Sequence, residues 1–556
     1  MARALLLNAV DVPSTASCLM PDNGLAGLAA ALLDAGHHAQ IWDPATLDVL
    51  RDHLYPEERA EIARLLEAIR HDRVTPVIAA QMNLLEQWFE STVARVYSRV
   101  HEQLQRKLER EPVDLLGLKL WFGPGLQAGL ELAASLARRH PGLKVFVGGP
   151  MATLIPQRLL QQFGVVQGVC VGEGEETIVA LAEHCDSGRS LSGVPNLVTR
   201  DGAGFSAAPR SFPDLESLPR PVYSPEVYPA MEGGQKLPIV YVDDSRGCPR
   251  TCPFCGHRVF SGRTRRERSA ERVVSYMEAY RQELGARAFR FTGSSTPQRL
   301  YQQVAELLLE RQDDFLYSGF AHLGSWRGAG HPRLRRSGLA ALFVGIESGS
   351  AQLLRGSLGK PLSLVRLSTQ VRACMDAGIF VCGSVIFPAP GETQKTEAET
   401  LALLLGLFQG RELCSVPVQP AFPAPYSRWW REMAVFGFEA DHQALLTDLL
   451  RRRARRFAPL HAADPLPYRL DGQPFAKLSE RAAGLVRQLG EHGILTGMSD
   501  ETVLIALAAG YTPGEFRRMD REIFVLGDAD RMSEVISRVN QGAPRPRETT
   551  RSVESA

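Results

Sequence analysis

Three thiols, Cys248, Cys252 and Cys255, fall within the single stretch Ser245-Arg-Gly-Cys-Pro-Arg-Thr-Cys-Pro-Phe-Cys-Gly256. Thiolates are the usual ligands of iron–sulfur clusters, and a loop this short can wrap a four-iron cubane. Three ligands for four irons leave one iron open to a small chelating molecule. A zinc site is the other reading, and it normally needs a fourth Cys or His. His257 follows at once, so the thiols alone leave zinc open.

The elements that must position this loop surround it on both sides. The chain has 556 residues, more than one core usually serves, so two or three domains are expected. Lys plus Arg number 63 and Asp plus Glu 62, a balance that argues against a general partner among nucleic acids or anionic membranes. Nine cysteines, an odd number, fit reduced thiols and a cytoplasmic protein better than a secreted disulfide framework. The apolar start of the chain is too short to span a bilayer and reads as a buried strand.

A continuous apolar run at 4–10 and further strands at 38–43, 115–122, 145–149 and 165–171 alternate with helical patterns such as 23–36 and 125–139. Strand and helix in turn predict a doubly wound α/β sheet over residues 1–200, whose ligands lie beyond the carboxyl ends of the strands. Glycines there let backbone approach a ligand closely. The turns Gly148-Gly149-Pro150 and Gly172-Glu173-Gly174 stand at those ends. A helical insertion, 44–112, interrupts the domain and carries Arg64 and Arg70 on amphipathic helices. Proline-rich sequence marks a linker over 201–235. Renewed alternation over 236–425 predicts a partial β/α barrel, with its chemistry at the carboxyl ends of the strands. Residues 426–556 read as a small helical C-terminal region ending in a polar, disordered tail from 541. Its Trp429 and Trp430 are either packing residues or a cradle for a planar substrate.

The cysteine spacing, the strand Val344-Gly-Ile-Glu-Ser-Gly349 and the turn Phe387-Pro-Ala-Pro-Gly-Glu-Thr393 resemble the radical S-adenosylmethionine (SAM) enzymes. With the glycine turns upstream, the chain resembles the subclass in which a cobalamin-binding domain precedes the barrel. The resemblance implies a [4Fe–4S] cluster on Cys248, Cys252 and Cys255, with SAM near Phe254, Glu347, Ser348 and Gly391. It implies cobalamin at Gly148, Gly149, Pro150, Gly172, Glu173 and Gly174, with Arg70 or Arg64 approaching the cobalt. The Asp-x-His-x-x-Gly cobalt-ligand motif is absent after the first strand, where the chain reads Asp11-Val-Pro-Ser-Thr-Ala. Acidic residues usual after one barrel strand are also absent, replaced by Phe291-Thr-Gly-Ser-Ser-Thr296.

The length, the arginine-bearing insertion and the missing acids are most similar to the branch that methylates carbon 2 of the L-tryptophan indole in thiostrepton-type antibiotic biosynthesis. That similarity implies polar methyl transfer by way of methylcobalamin, an external electron donor, and a carboxylate on the open iron. Glu271, with Glu267 behind it, is the carboxylate so implied; a simple helix-capping role is the alternative. A radical-mechanism relative acting on an sp3 carbon or phosphinate, and a non-catalytic cluster-bearing sensor, remain as the other readings.

Overall fold

The computed structural model describes residues 1–70, 76–202, 204–451 and 466–542, apart from the side chains at 69–70, 76–80, 82–90 and 451. The N-terminal sheet contains β1 (Arg3–Ala9), β2 (His38–Trp42), β3 (Leu115–Leu120), β4 (Lys144–Gly148), β5 (Val166–Cys170), β6 (Leu197–Asp201) and β7 (Gly204–Ala207). Its order is β2-β1-β3-β4-β5-β6-β7. The first five strands are parallel, and β6 and β7 join antiparallel at one edge. Leu5, Leu6, Leu7, Leu116 and Val145 are almost wholly buried, as strands covered by helices on both faces require. The antiparallel edge carries the domain's sheet into the stretch read as linker.

The order reverses between β1 and β3, and a switch point of this kind opens a crevice at the carboxyl ends of the strands. Helix Asn23–Asp34 starts there, with Asp22 capping Leu25 N. The apolar stretch Ala16–Asp34 is mostly packed inside the molecule. In the insertion, helices Pro56–Arg70 and Pro76–Arg110 follow a short helix, Leu47–Asp52. The second half of the long helix lays Val93, Val96, Val100 and Leu104 on the sheet face and thereby completes the crossover from β2 to β3.

The connection to the barrel is buried as well as extended. Tyr223 and Tyr228 are 1% and 0% exposed, and the Tyr228 hydroxyl donates to Asp43. Lys236 pairs with the same carboxylate at 2.6 Å. Proline spacing suggests a solvated spacer, but two large rings make this segment part of the core between the domains.

The barrel strands are β8 (Ile239–Val242), β11 (Ala288–Phe291), β12 (Leu316–Ala321), β13 (Leu339–Glu347) and β14 (Phe380–Ile386), with the short β15 (Cys414–Ser415) and β16 (Val418–Gln419) sharing the far edge. All pair in parallel, in the order β15-β14-β13-β12-β11-β8. Strand β12 escapes the sequence pattern because its glycine lowers the signal. Gly319 is needed there, since a Cβ would lie 2.6 Å from the Tyr301 hydroxyl. Two short strands, β9 (Ser245–Arg246) and β10 (Arg266–Glu267), pair antiparallel and bracket the cysteine loop.

The C-terminal region is not purely helical. A three-stranded antiparallel sheet, β17 (Phe438–Ala440), β18 (Tyr468–Leu470) and β19 (Gln473–Pro474), precedes its main helices. Helix Asp500–Ala508 plugs the amino end of the barrel: Arg290 makes a two-pronged contact with Asp500 at 3.1 and 3.2 Å, and Ser318 donates to the same carboxylate at 2.9 Å. The tail from 543 lies outside the described residues.

Candidate cofactor site

The strand ends of the first domain and the residues flanking the cysteine loop of the second face one cavity of about 460 Å³. Gly148, Gly149, Pro150, Gly172, Glu173, Gly174 and Glu175 line one side; Asp243, Ser245, Arg246, His257, Thr292 and Ser294 line the other. Gly149 has φ +94°, and a Cβ there would lie 3.0 Å from the Leu120 carbonyl oxygen. Gly172 has φ +85° and donates its N–H to Thr153 Oγ1 at 2.9 Å. Both turns therefore depend on glycine and leave backbone bare toward the cavity. Two buried polar atoms on this lining, Glu175 Oε2 and Ser294 Oγ, have no hydrogen-bond partner. A cavity with glycine-built walls and unmet polar atoms fits a large ligand bearing amide groups, as cobalamin does.

Charged groups tie the two walls together. Arg246 meets Glu173 at 3.2 Å, Glu175 at 2.7 Å and Asp243. Arg266 grips both oxygens of Glu173, donating from Nη1 to Oε2 at 2.9 Å and from Nη2 to Oε1 at 2.5 Å. The Glu173 carboxylate, expected beside cobalamin, is thus committed to two arginines flanking the cysteine loop. Against the cost of burial, Arg246 and Arg268 keep the Asp243 carboxyl below the ordinary range. Its neighbour Asp244 is pushed up to about 6 by burial, although it accepts from Thr296 Oγ1, Gly293 N and Ser245 Oγ. The stretch 292–296, where acidic residues are missing, is therefore held by acids from the adjacent strand.

In the cysteine loop, Cys248 and Cys252 are half-buried and Cys255 is exposed. Burial raises the Cys252 and Cys255 thiols, and the three sulfurs raise them further through their mutual field. His257 N donates to Cys255 Sγ at 3.4 Å. Among the described residues no three Cys, His, Asp or Glu side chains form an array for a single metal ion. Three thiols in one field, each left to a different metal, match the donor set of a cubane better than a lone zinc. Burial also keeps His257 below its usual range.

The loop is clamped from two directions. Trp429 N donates to the Pro253 carbonyl at 2.9 Å, and its ring packs on Phe254 with centroids 5.7 Å apart. Trp429 Nε1 donates to Ser357 O at 3.0 Å. Trp429 is 1% exposed, so it packs rather than cradles a substrate. Behind the loop, Lys360 pairs with Glu347 at 2.7 Å and donates to Gly345 O at 2.7 Å. Lys360 lowers the thiols of Cys252 and Cys255, and Glu347 raises them. Lys360, Arg250 and Arg265 add to burial in holding His322 neutral, far below its usual range.

Several expected positions serve protein contacts. Glu347 has φ +66° and is bound to Lys360; Ser348 shares a hydrogen bond with Thr400 at 3.1 Å and accepts from Ser350 N at 3.0 Å. Gly391, at φ +78°, donates to Asp471 Oδ2 at 2.8 Å. Glu271 is exposed in the first turn of helix Ala270–Leu284, which Ser269 caps, and is absent from the groups that act on the thiols. Glu267 is spent on Arg299. Arg64 is half-exposed, bound to Glu61 at 2.7 Å and to Gln81 at 2.9 Å, and no insertion residue lines the cavity among the described residues. The Arg70 side chain lies outside the described residues. No motif in the sequence announces Arg246, Arg266 or Lys360 as partners of the site.

The B12 binding domain family matches residues 62–182, and the radical SAM superfamily matches residues 242–404. The structure of the methyltransferase TsrM from Kitasatospora setae, with tryptophan substrate and a SAM analogue bound, is similar in fold: TM-score 0.63, 16% identity, 94% of this chain and 99% of that one. The chain carries a B12-binding domain followed by a radical SAM domain, in a fold shared with TsrM. A second TsrM structure, from the same organism, holds cobalamin and a [4Fe–4S] cluster. The structure of OxsB, a cobalamin-dependent SAM radical enzyme with aqua-cobalamin and SAM bound, is also similar: TM-score 0.56, 13% identity, 91% of this chain and 65% of that one. An uncharacterized methyltransferase of Pyrococcus horikoshii is 25% identical over 291 residues, 51% of this chain and 62% of the relative. The chain spans about half the length of the curated relatives it matches.

Proposed function

We propose that the protein transfers a methyl group from SAM, through cobalamin, to a carbon of a small molecule, and that this molecule is L-tryptophan, methylated at indole carbon 2. The observation carrying this reading is the shared cavity, which sets the glycine turns at 148–150 and 172–174 opposite Ser245, Arg246 and His257, the residues on either side of the Cys248–Cys255 loop. Cobalamin supplies methyl transfer and the cluster supplies a SAM-binding iron; the chain's part is to fix their separation and keep water out. Gly148, Gly149, Pro150, Gly172 and Gly174 form the cobalamin wall, the three cysteines hold the cluster, and Phe254 and Gly391 border SAM. The tryptophan assignment draws on the fold likeness to TsrM, which extends over nearly the whole of both chains. It would place the reaction in the making of a peptide antibiotic, in the reducing cytoplasm, with an external electron donor.

A second reading is a radical route to an sp3 carbon or phosphinate. The exposed position of Glu271 favours it, because that carboxylate then leaves the open iron to SAM. One experiment separates the two. Anaerobically reconstituted protein is given methylcobalamin, methyl-labelled SAM and L-tryptophan, then assayed for 2-methyltryptophan and 5′-deoxyadenosine. Labelled product without deoxyadenosine supports the polar route. Deoxyadenosine in step with product supports the radical one, and unmethylated tryptophan overturns the substrate assignment.

A further inference from the structure

Glu175 begins the helix Glu175–Ser187 at the carboxyl end of β5, and its side chain is 9% exposed. One carboxylate oxygen, Oε1, lies 2.7 Å from Arg246 Nη2, across the domain boundary and two residues before Cys248. The other, Oε2, is buried without a hydrogen-bond partner, on a side chain that borders the cavity. A buried carboxylate oxygen with no donor is costly, and native structures rarely leave one. The expected donor is therefore the occupant of the cavity. Cobalamin carries acetamide and propionamide groups around its ring, whose N–H bonds match an anionic acceptor.

We infer that Glu175 bridges the two cofactors: Oε2 accepts an amide N–H of cobalamin, while Oε1 holds Arg246 and so the start of the cluster loop. Binding of cobalamin thereby orders the loop of Cys248, Cys252 and Cys255 through a single carboxylate. The inference rests on the reading of this cavity as the cobalamin site. Glu173 cannot take the part, because Arg246 and Arg266 occupy both of its oxygens.

The test uses the full chain, hydroxocobalamin as the probe, and the variants Glu175→Ala, Glu175→Gln and Glu176→Ala. Glu176 occupies the same helical turn but is exposed, so its removal controls for charge at the helix start. Hydroxocobalamin affinity should fall about tenfold in both Glu175 variants, as loss of a hydrogen bond to a charged acceptor implies, and stay within about twofold in Glu176→Ala. In the parent, hydroxocobalamin should also slow amide exchange over residues 245–262, and this protection should vanish in Glu175→Gln. Unchanged affinity in both Glu175 variants overturns the inference. Weakened binding that still protects 245–262 overturns the bridging role. A parent that does not bind hydroxocobalamin overturns the cobalamin reading of the cavity itself, an outcome the variants cannot mimic. Should Glu175→Ala not fold, Glu175→Gln, nearly equal in volume, carries the test.

Discussion

Replacing Trp429 by Ala should loosen the cysteine loop far more than its distance along the chain suggests. The ring is 1% exposed and packs against Phe254, Phe436 and Phe438, with centroids 5.7, 6.3 and 5.3 Å away. Truncating a buried Trp costs about 3–5 kcal/mol. Of this, about 1 kcal/mol belongs to the Nε1–H bond to Ser357 O, whose carbonyl is left unmatched. The bond from Trp429 N to Pro253 O is main-chain and survives, so the variant reports on the ring alone. If most of the loss falls on the loop, at least 3 kcal/mol raises its local opening constant roughly a hundredfold. Trp429→Phe keeps aromatic contact and loses the hydrogen bond, giving about fivefold to tenfold.

Amide exchange over residues 250–260 of the apo chain reads this directly, and iron and sulfide per chain after anaerobic reconstitution read its consequence. Iron retention should follow the order parent, Trp429→Phe, Trp429→Ala. If Trp429→Ala lowers global stability while exchange in the loop and iron content match the parent, the ring only fills the C-terminal core. The clamp argument is then refuted.

The Lys360–Glu347 pair is buried on both sides, at 6% and 8% exposure, so Lys360→Met should destabilise by about 3–5 kcal/mol by stranding the carboxylate. Adding Glu347→Gln should recover much of that loss in denaturant unfolding, and additive losses would deny the coupling. Burial raises Asp244 from 3.8 to about 6 in the folded chain, so the folded state binds the proton more tightly than the unfolded one. Its contribution to stability is therefore fully present below the ordinary carboxyl value and is lost as pH rises through about 6, a change of about 3 kcal/mol. Asp244→Asn should flatten the stability profile between those values relative to the parent, and parallel profiles for the two proteins would contradict the shift.

The readability of this chain from its sequence follows the range of the forces involved. Parallel strands buried on both faces, such as Leu5–Leu7 in β1, write themselves as apolar runs because every position meets a core. The cysteine loop is equally local: its three thiols fall between Cys248 and Cys255, so their spacing stands out in the sequence, although the thiols alone leave zinc open. Ion pairs across the domain boundary obey no spacing. Arg246 meets Glu173 and Glu175 some seventy positions away, and nothing near Arg246 in sequence distinguishes it from a solvated arginine. The same blindness operates in reverse at Glu271. An acid shortly after the loop looks well placed for the open iron, yet Ser269 starts a helix that turns it outward. Glu347, ninety-two positions beyond Cys255, is instead the carboxylate whose field reaches Cys252 and Cys255. Its charge is met by Lys360 at 2.7 Å, an ion pair between residues thirteen positions apart that no local motif announces.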